Sequence, residues 1–518
     1  MASLLIALAL GVALAFAFQP FNLWPLALIA FGGMLLLIER APNARRAAAI
    51  GWCFGFGQFV LGLDWIATAF TYQAKMPPWL GWVAVMLLSI YLAVFPLLAT
   101  LGAWIAARRL KGGAITLTFA FAACWIATEW LRGTLFTGFP WNPASVALVD
   151  LPVAKAARWT GTYALSGLMI VSVGFILMLA LMKREAMSRR RLLSTANIPA
   201  GLGLIALAAL YVGPGLGRRL APPPPPPEGH GALVRIVQPD IGQGERDTPG
   251  LEQRHLDRLQ ALSGASGLEP RLILWPESAI EGDVAEDPSA ARATTTMLGP
   301  RDLLAGGGYA WVRNAAGEAI AARNSVFVMG AGGRILARYD KAHLVPYGEY
   351  LPMRPLLTLL GLSRLVPGDV DFLPGPGPVT VDLPGFGKVG MQLCYEMVFS
   401  GRVVDEAHRP DFIFNPSNDA WFGASGPPQH LAQARLRAIE EGLPIARATP
   451  TGISAIIDAD GRIVSRLGPH AMGMIQRHMP DPLPPTLFSR LGNWAALIVV
   501  ILLGGLAFLT SRYKQVFI

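Results

Sequence analysis

Three stretches of this sequence run from apolar residues into a reactive side chain. RLILWPES (271–278) ends near Glu277, RYDKAHLVPYGEYLP (338–352) offers Lys341 and then Glu349, and GKVGMQLCYE (387–396) offers Cys394 with Tyr395 and Glu396 behind it. A thiol is a good nucleophile only as thiolate, so it needs a base or a positive field. A carboxylate can take the proton, and an ammonium can stabilise a developing oxyanion. Glutamate, lysine and cysteine together therefore make an acyl-transfer site without histidine or metal. Each residue also has an ordinary reading. A lone core cysteine is usually inert, and Glu277 alone is a cap or a surface acid. Lys341 beside Asp340 would be an exposed ion pair worth little. Glu349 and Glu396 could hold a loop or the lysine. Spacing along the chain does not bring the three together; the elements around them must.

Those elements are of two kinds. Charged residues make up only 15% of the 518, against about 25% in soluble domains, and mean hydropathy is +0.44. Apolar runs near the length that crosses a hydrocarbon core of about 30 Å fall at 3–18, 23–38, 47–66, 80–107, 113–131, 162–182, 198–217 and 491–510. The first lacks the charged start of a signal peptide and is followed by more spans. A polytopic helical membrane domain of seven spans over 1–220 is expected, with an eighth, C-terminal span within 490–512.

Charge sets the orientation. Residues 230–489 carry 23 Lys and Arg against 28 Asp and Glu, a net of −5, while the rest carries 20 against 6, a net of +14. The basic excess thus belongs to the membrane part, and no nucleic-acid role follows. It concentrates in alternate loops: Arg40, Arg45 and Arg46; Arg108, Arg109 and Lys111; Lys183, Arg184 and Arg189 to Arg191; and the tail, Arg512 and Lys514. The positive-inside rule makes these cytoplasmic and puts 230–489 on the outer face, with Arg218 and Arg219 a local exception. Trp24, Trp65, Trp79 and Trp141 lie at outer span ends, as an interfacial mouth requires.

After the seventh span, APPPPPPEGH (221–230) reads as a semi-rigid polyproline spacer. Residues 231–485 then alternate apolar strands, beginning with ALVRIVQPDI (232–241), with helical patterns such as 251–262 and 429–442. Strands apolar on both faces imply buried sheets in a layered α/β domain. His343, His408 and His430 read as isolated, and no cluster has metal-ligand spacing, so neither metal nor other cofactor is expected. Cys53 and Cys124 fall inside spans as packing residues, leaving Cys394 no disulfide partner. Glu129 is read as pairing with Arg132 at the interface. The GGG of 306–308 lacks the flanks of a phosphate loop.

The order WPES, YDKAHLVPYGEY, CYE and NPSNDAWFG resembles the carbon–nitrogen hydrolase (nitrilase) superfamily. With seven spans before the domain and one after, the resemblance narrows to the apolipoprotein N-acyltransferase family and covers essentially the whole chain. It implies an α-β-β-α sandwich with Glu277 as general base, Lys341 stabilising the oxyanion and Cys394 as nucleophile. Glu349, Tyr395, Glu396 and Asn324 match supporting residues, and Trp421 and Phe422 a segment near the acyl-chain entrance, although Trp421 reads equally well as core. After VQPDIGQ the family often has a tryptophan in a K-W-D-like sequence, whereas this chain has GERDT (244–248).

The resemblance further implies a two-step reaction. A phospholipid donates its sn-1 acyl chain to Cys394, and the amine of a diacylated apolipoprotein accepts it. The expected setting is a monomer in the bacterial inner membrane with its catalytic domain in the periplasm. Two alternatives share the residues: a membrane-tethered amidase that passes its thioester to water, and a non-catalytic lipid-binding scaffold. The intact Glu277, Lys341 and Cys394 speak against the scaffold.

Overall fold

The structure, a computed structural model, describes residues 1–72, 77–188, 229–359 and 370–512. The seventh expected span and nearly all of the proline run lie outside the described residues. The chain divides into two units, one of Met1–Asp64, Val85–Pro225 and Arg490–Ile518, the other of Trp65–Ala84 and Pro226–Ser489.

The first unit is helical. Four described stretches are long and apolar enough to cross a membrane: Leu80–Arg109, Ala114–Arg132, Pro152–Ala180 and Trp494–Ser511. There is a fifth if Ala44–Gly62 and Trp65–Tyr72, the latter in the second unit, count as one broken span. The helices at the first two expected spans, Ala2–Ala17 and Pro25–Glu39, have 16 and 15 residues. Leu80–Arg109 is itself two helices, broken at Ala93. Pro96 then falls in the first turn of the second, where its missing N–H costs little.

Small residues let these helices approach closely: a Cβ on Gly51 would sit 2.5 Å from the Pro96 carbonyl oxygen. Glu129 and Arg132 are both buried. Glu129 Oε1 accepts from Trp125 Nε1 (3.2 Å) and Ala144 N (2.8 Å), and Arg132 donates to the carbonyls of Phe139 and Trp141, each at 2.8 Å. Their job is to fasten the 139–144 segment, a wider role than an interfacial pair. The tryptophans also depart from expectation. Trp141 is fully buried and Trp65 is 8% exposed, whereas Trp79, at 65%, is open.

The described residues of the second unit hold twelve strands: β1 Leu233–Gln238, β2 Leu272–Leu274, β3 Leu303–Arg313, β4 Ala319–Gly330, β5 Ile335–Asp340, β6 Val379–Leu383, β7 Gly387–Met391, β8 Phe412–Pro416, β9 Ile445–Ala448, β10 Ser454–Ile457, β11 Ile463–Leu467 and β12 Gly473–His478. They form two six-stranded sheets, ordered β12-β1-β2-β3-β4-β5 and β6-β7-β8-β9-β10-β11. Each sheet reads antiparallel, parallel, parallel, antiparallel, antiparallel from its first edge, so the two are built alike.

Alternation along the strands explains the layering. Leu272 and Leu274 of β2 share one core with Phe412 and Phe414 of β8, which joins the two sheets face to face. The residues between them turn outward. Ile273 packs with Leu259 and Ala291 of helices Glu252–Ser263 and Pro288–Thr294. Ile413 packs with Leu431, Ala434 and Ala438 of helix Gly426–Glu441. The result is an α-β-β-α sandwich, and the strands are apolar on both faces because both faces are covered.

Candidate active site

In parallel α/β sheets, functional groups gather beyond the carboxyl ends of the strands. Glu277 follows β2, Lys341 follows β5, Cys394 follows β7 and Asn418 follows β8. Glu277, Lys341 and Cys394 are 7%, 1% and 5% exposed, so the surface-acid and exposed-pair readings of the first two fall away. Asp340 instead pairs with Arg323 and Arg338.

Lys341 is the hub. Its Nζ lies 2.9 Å from Glu349 Oε1 and 3.5 Å from Glu277 Oε1. Asn324, on β4, donates its amide to both of those oxygens at 2.8 Å. Glu349 Oε2 accepts from Val345 N at 2.8 Å. Burial alone would discharge the lysine, but Glu349 and Glu277 outweigh it and hold its pKa above the ordinary value. Lys341 is thus a fixed cation.

The Asn418 N–H donates to Glu277 Oε2 at 2.7 Å, and Cys394 lies in the field of that carboxylate. Burial raises the thiol well above its usual pKa, and the charge of Glu277 raises it further, while Lys341 pulls the other way. Thiolate formation by loss of a proton to water is therefore unfavourable. Transfer of that proton to Glu277 keeps the charge of the cluster constant, which is the easier route.

Cys394 opens the short 3₁₀ turn Cys394–Val398 with φ +48, a left-handed conformation that costs a non-glycine residue roughly 1–2 kcal/mol. Two sets of contacts hold the turn. Glu396 accepts from Leu393 N (2.7 Å), Ala342 N (2.7 Å), His343 N (3.0 Å) and Tyr339 Oη (2.8 Å), tying the lysine segment to the nucleophile turn. His430 Nε2 lies 3.1 Å from the Cys394 carbonyl.

His430 is not isolated, as the sequence suggested, but fully buried. Burial and then Arg447 push its pKa down. Neutral imidazole has one N–H; the Cys394 carbonyl can only accept and Arg447 can only donate, so a proton on Nε2 satisfies both, with Asp419 Oδ1 also 3.2 Å from Nδ1. Arg447 Nη2 donates to Nδ1 at 3.1 Å and to both Asp419 oxygens at 2.6 and 2.8 Å. The missed signal was position: 430, 434, 438 and 441 share the buried face of the helix.

Three other expected residues lie outside the charged cluster. Tyr395 is buried against Phe399 and His343, with ring centroids 5.1 and 5.9 Å away. Trp421 and Phe422 are half-buried and meet Tyr72 and Trp65 at 5.6 and 4.7 Å. The triglycine has a steric purpose: a Cβ on Gly307 would lie 2.6 Å from Glu277 Cα and from Ser278 N. Glycine lets β3 pass directly beneath the base.

Sandwich and buried residue set together define a carbon–nitrogen hydrolase domain, and the carbon-nitrogen hydrolase family model matches residues 233–481. The model for the apolipoprotein N-acyltransferase N-terminal domain matches residues 10–176. Apolipoprotein N-acyltransferases of Rhodopseudomonas palustris and Bradyrhizobium diazoefficiens are each 35% identical, covering 98% and 96% of this chain and 95% and 93% of their own length. That of Sinorhizobium fredii is 34% identical over 97% of this chain and 96% of its own. Among solved structures, an amidase from Nesterenkonia sp. aligns with 49% of this chain and 93% of its own, at 17% identity and a TM-score of 0.33. The chain belongs to the apolipoprotein N-acyltransferase family.

Proposed function

We propose that this membrane protein transfers the sn-1 acyl chain of a phospholipid, by way of a thioester on Cys394, to the N-terminal amine of diacylglyceryl-cysteine apolipoproteins. The observation that carries the mechanism is one buried cluster, with Lys341 3.5 Å from Glu277 and Glu396 tying the lysine segment to the Cys394 turn. Glu277 takes the thiol proton as sulfur attacks the ester carbonyl, and Lys341 faces the oxyanion that forms. Collapse breaks the ester C–O bond, and Glu277 returns the proton to the leaving glycerol oxygen, releasing lysophospholipid. The amine then attacks the thioester carbonyl and gives up a proton through Glu277 to the departing sulfur, which restores the thiol.

Glu349, Asn324 and Glu396 hold these groups in place, and Trp421 and Phe422 line the approach of the acyl chain. Loops alternately rich in arginine and lysine support a multi-pass inner-membrane protein with its catalytic domain in the periplasm. One chain contains the whole cluster, in keeping with a monomer.

Intact mass analysis after incubation with phospholipid tests this reading. The expected result is a gain of one fatty-acyl group, absent in Cys394→Ser and removed by a diacylated lipopeptide amine. An unmodified protein under turnover conditions would sink it, and an adduct discharged by water alone would favour the tethered amidase.

A further inference from the structure

The stretch that departs from the family pattern, GERDT, lies at the site. Gln243–Arg246 form one helical turn. Gln243 Oε1 accepts from Asn418 Nδ2 at 3.0 Å, and its amide nitrogen donates to Asp247 at 2.9 Å. The turn is thus tied to the residue whose N–H serves Glu277. Arg246, three residues on, shares a face with Gln243, and both line a cavity with Glu277, Ser278 and Asn418.

A guanidinium carries five donors in a rigid planar fork. One reaches Tyr309 Oη at 3.0 Å, and the group sits 5.6 Å from the centre of that ring. Ser278 Oγ, 3.1 Å from the same hydroxyl, steadies the platform. Among the described residues no carboxylate lies within ion-pairing distance of Arg246. The two acids whose charge it feels, Asp247 and Glu281, are engaged by Gln243 and by His255, the latter at 2.9 Å. A half-buried cation with spare planar donors thus faces the cavity beside the base.

We propose that Arg246 binds the phosphodiester of the glycerophospholipid acyl donor, an inference that rests on the acyl-transfer reading above. Phosphate oxygens match the fork in a bidentate pair. The phosphodiester and the sn-1 ester sit on opposite ends of one glycerol, so holding the first presents the second to Cys394. The diacylated cysteine acceptor offers no phosphate at that place. Arg246 therefore acts in the first half-reaction and selects phospholipid over neutral glycerides.

The test follows acyl-enzyme formation on the full-length protein in detergent micelles by intact mass. The donors are phosphatidylglycerol and the 1,2-diacylglycerol with the same acyl chains. The unmodified protein should favour the phospholipid about ten- to a hundredfold, the worth of a charge-assisted hydrogen-bonded contact. Arg246→Gln should bring the two rates to near parity, and Arg246→Lys, which keeps charge but not fork, should fall between. Equal rates in the unmodified protein overturn the proposal. So does a preference that persists in Arg246→Gln, including the case where both rates drop in proportion. Absence of acyl-enzyme from either donor is a distinguishable result, because it overturns the acyl-transfer reading itself and this assignment with it.

Discussion

Cys394 sits in a field that opposes its own ionisation. Burial and the charge of Glu277 raise the thiol, and Lys341 only partly offsets them. Thiolate is therefore scarce at neutral pH, and alkylation by iodoacetamide should climb as pH rises through the alkaline range. Glu277→Gln separates reactivity from catalysis. Removing the negative neighbour lowers the thiol pKa, so alkylation at pH 8 should speed up. Loss of the base should slow acyl-enzyme formation about 10²–10⁴-fold, and a fall in both rates together would contradict this account of the site. Glu441 offers a stability test far from the chemistry. Burial and then Glu440 raise its carboxyl to about 8. A carboxyl whose pKa is higher folded than unfolded stabilises the fold below the unfolded value and loses that contribution as pH rises toward the folded one. Apparent Tm should decline between about pH 5 and 8, and Glu441→Gln should flatten the decline.

At the scale of elements, two close approaches position the reactive groups. The nucleophile turn is strained, and His430 holds its carbonyl from a helix packed on the outer face of the second sheet. His430→Leu removes that N–H and should slow acyl-enzyme formation about ten- to a hundredfold, with KM for phospholipid nearly constant. His430→Gln can place an amide N–H near the same carbonyl and should recover part of the loss, which a purely packing role would not produce. Strand β3 gives the second case. Gly307→Ala puts a methyl against Glu277 and Ser278 backbone, costing about 1–3 kcal/mol of stability. It also displaces the base, so acyl transfer should fall by more than stability alone explains, as measured on the protein that remains folded.

At the scale of the whole molecule, the second unit draws on two distant parts of the chain. Trp65–Ala84 belongs with Pro226–Ser489, and its aromatics meet the turn that carries Trp421 and Phe422. Trp65 is 8% exposed, so Trp65→Ala removes a buried ring worth about 3–5 kcal/mol. Thermal unfolding in detergent should show a lower apparent Tm, along with faster proteolysis in the 419–423 turn. An unchanged melting profile would mean that the ring contact contributes nothing to holding that turn.

Much of this was legible in the residues. Apolar runs ending at Glu277, Lys341 and Cys394 marked strands that finish on chemistry, and two-sided hydrophobicity implied sheets covered on both faces. Local periodicity and composition suffice for such inferences, because burial imposes them on each segment separately. The sequence could not say what lies across a gap between segments. Asn418 clasping Glu277, Glu396 bridging the lysine loop and the Cys394 turn, and His430 gripping a carbonyl all pair residues far apart in the chain. The burial of Trp141 is of the same kind, set by what packs around it rather than by its place at a span end. Hydrophobic pattern sets which face is buried, but only the register of packed sheets and helices decides which polar groups meet there.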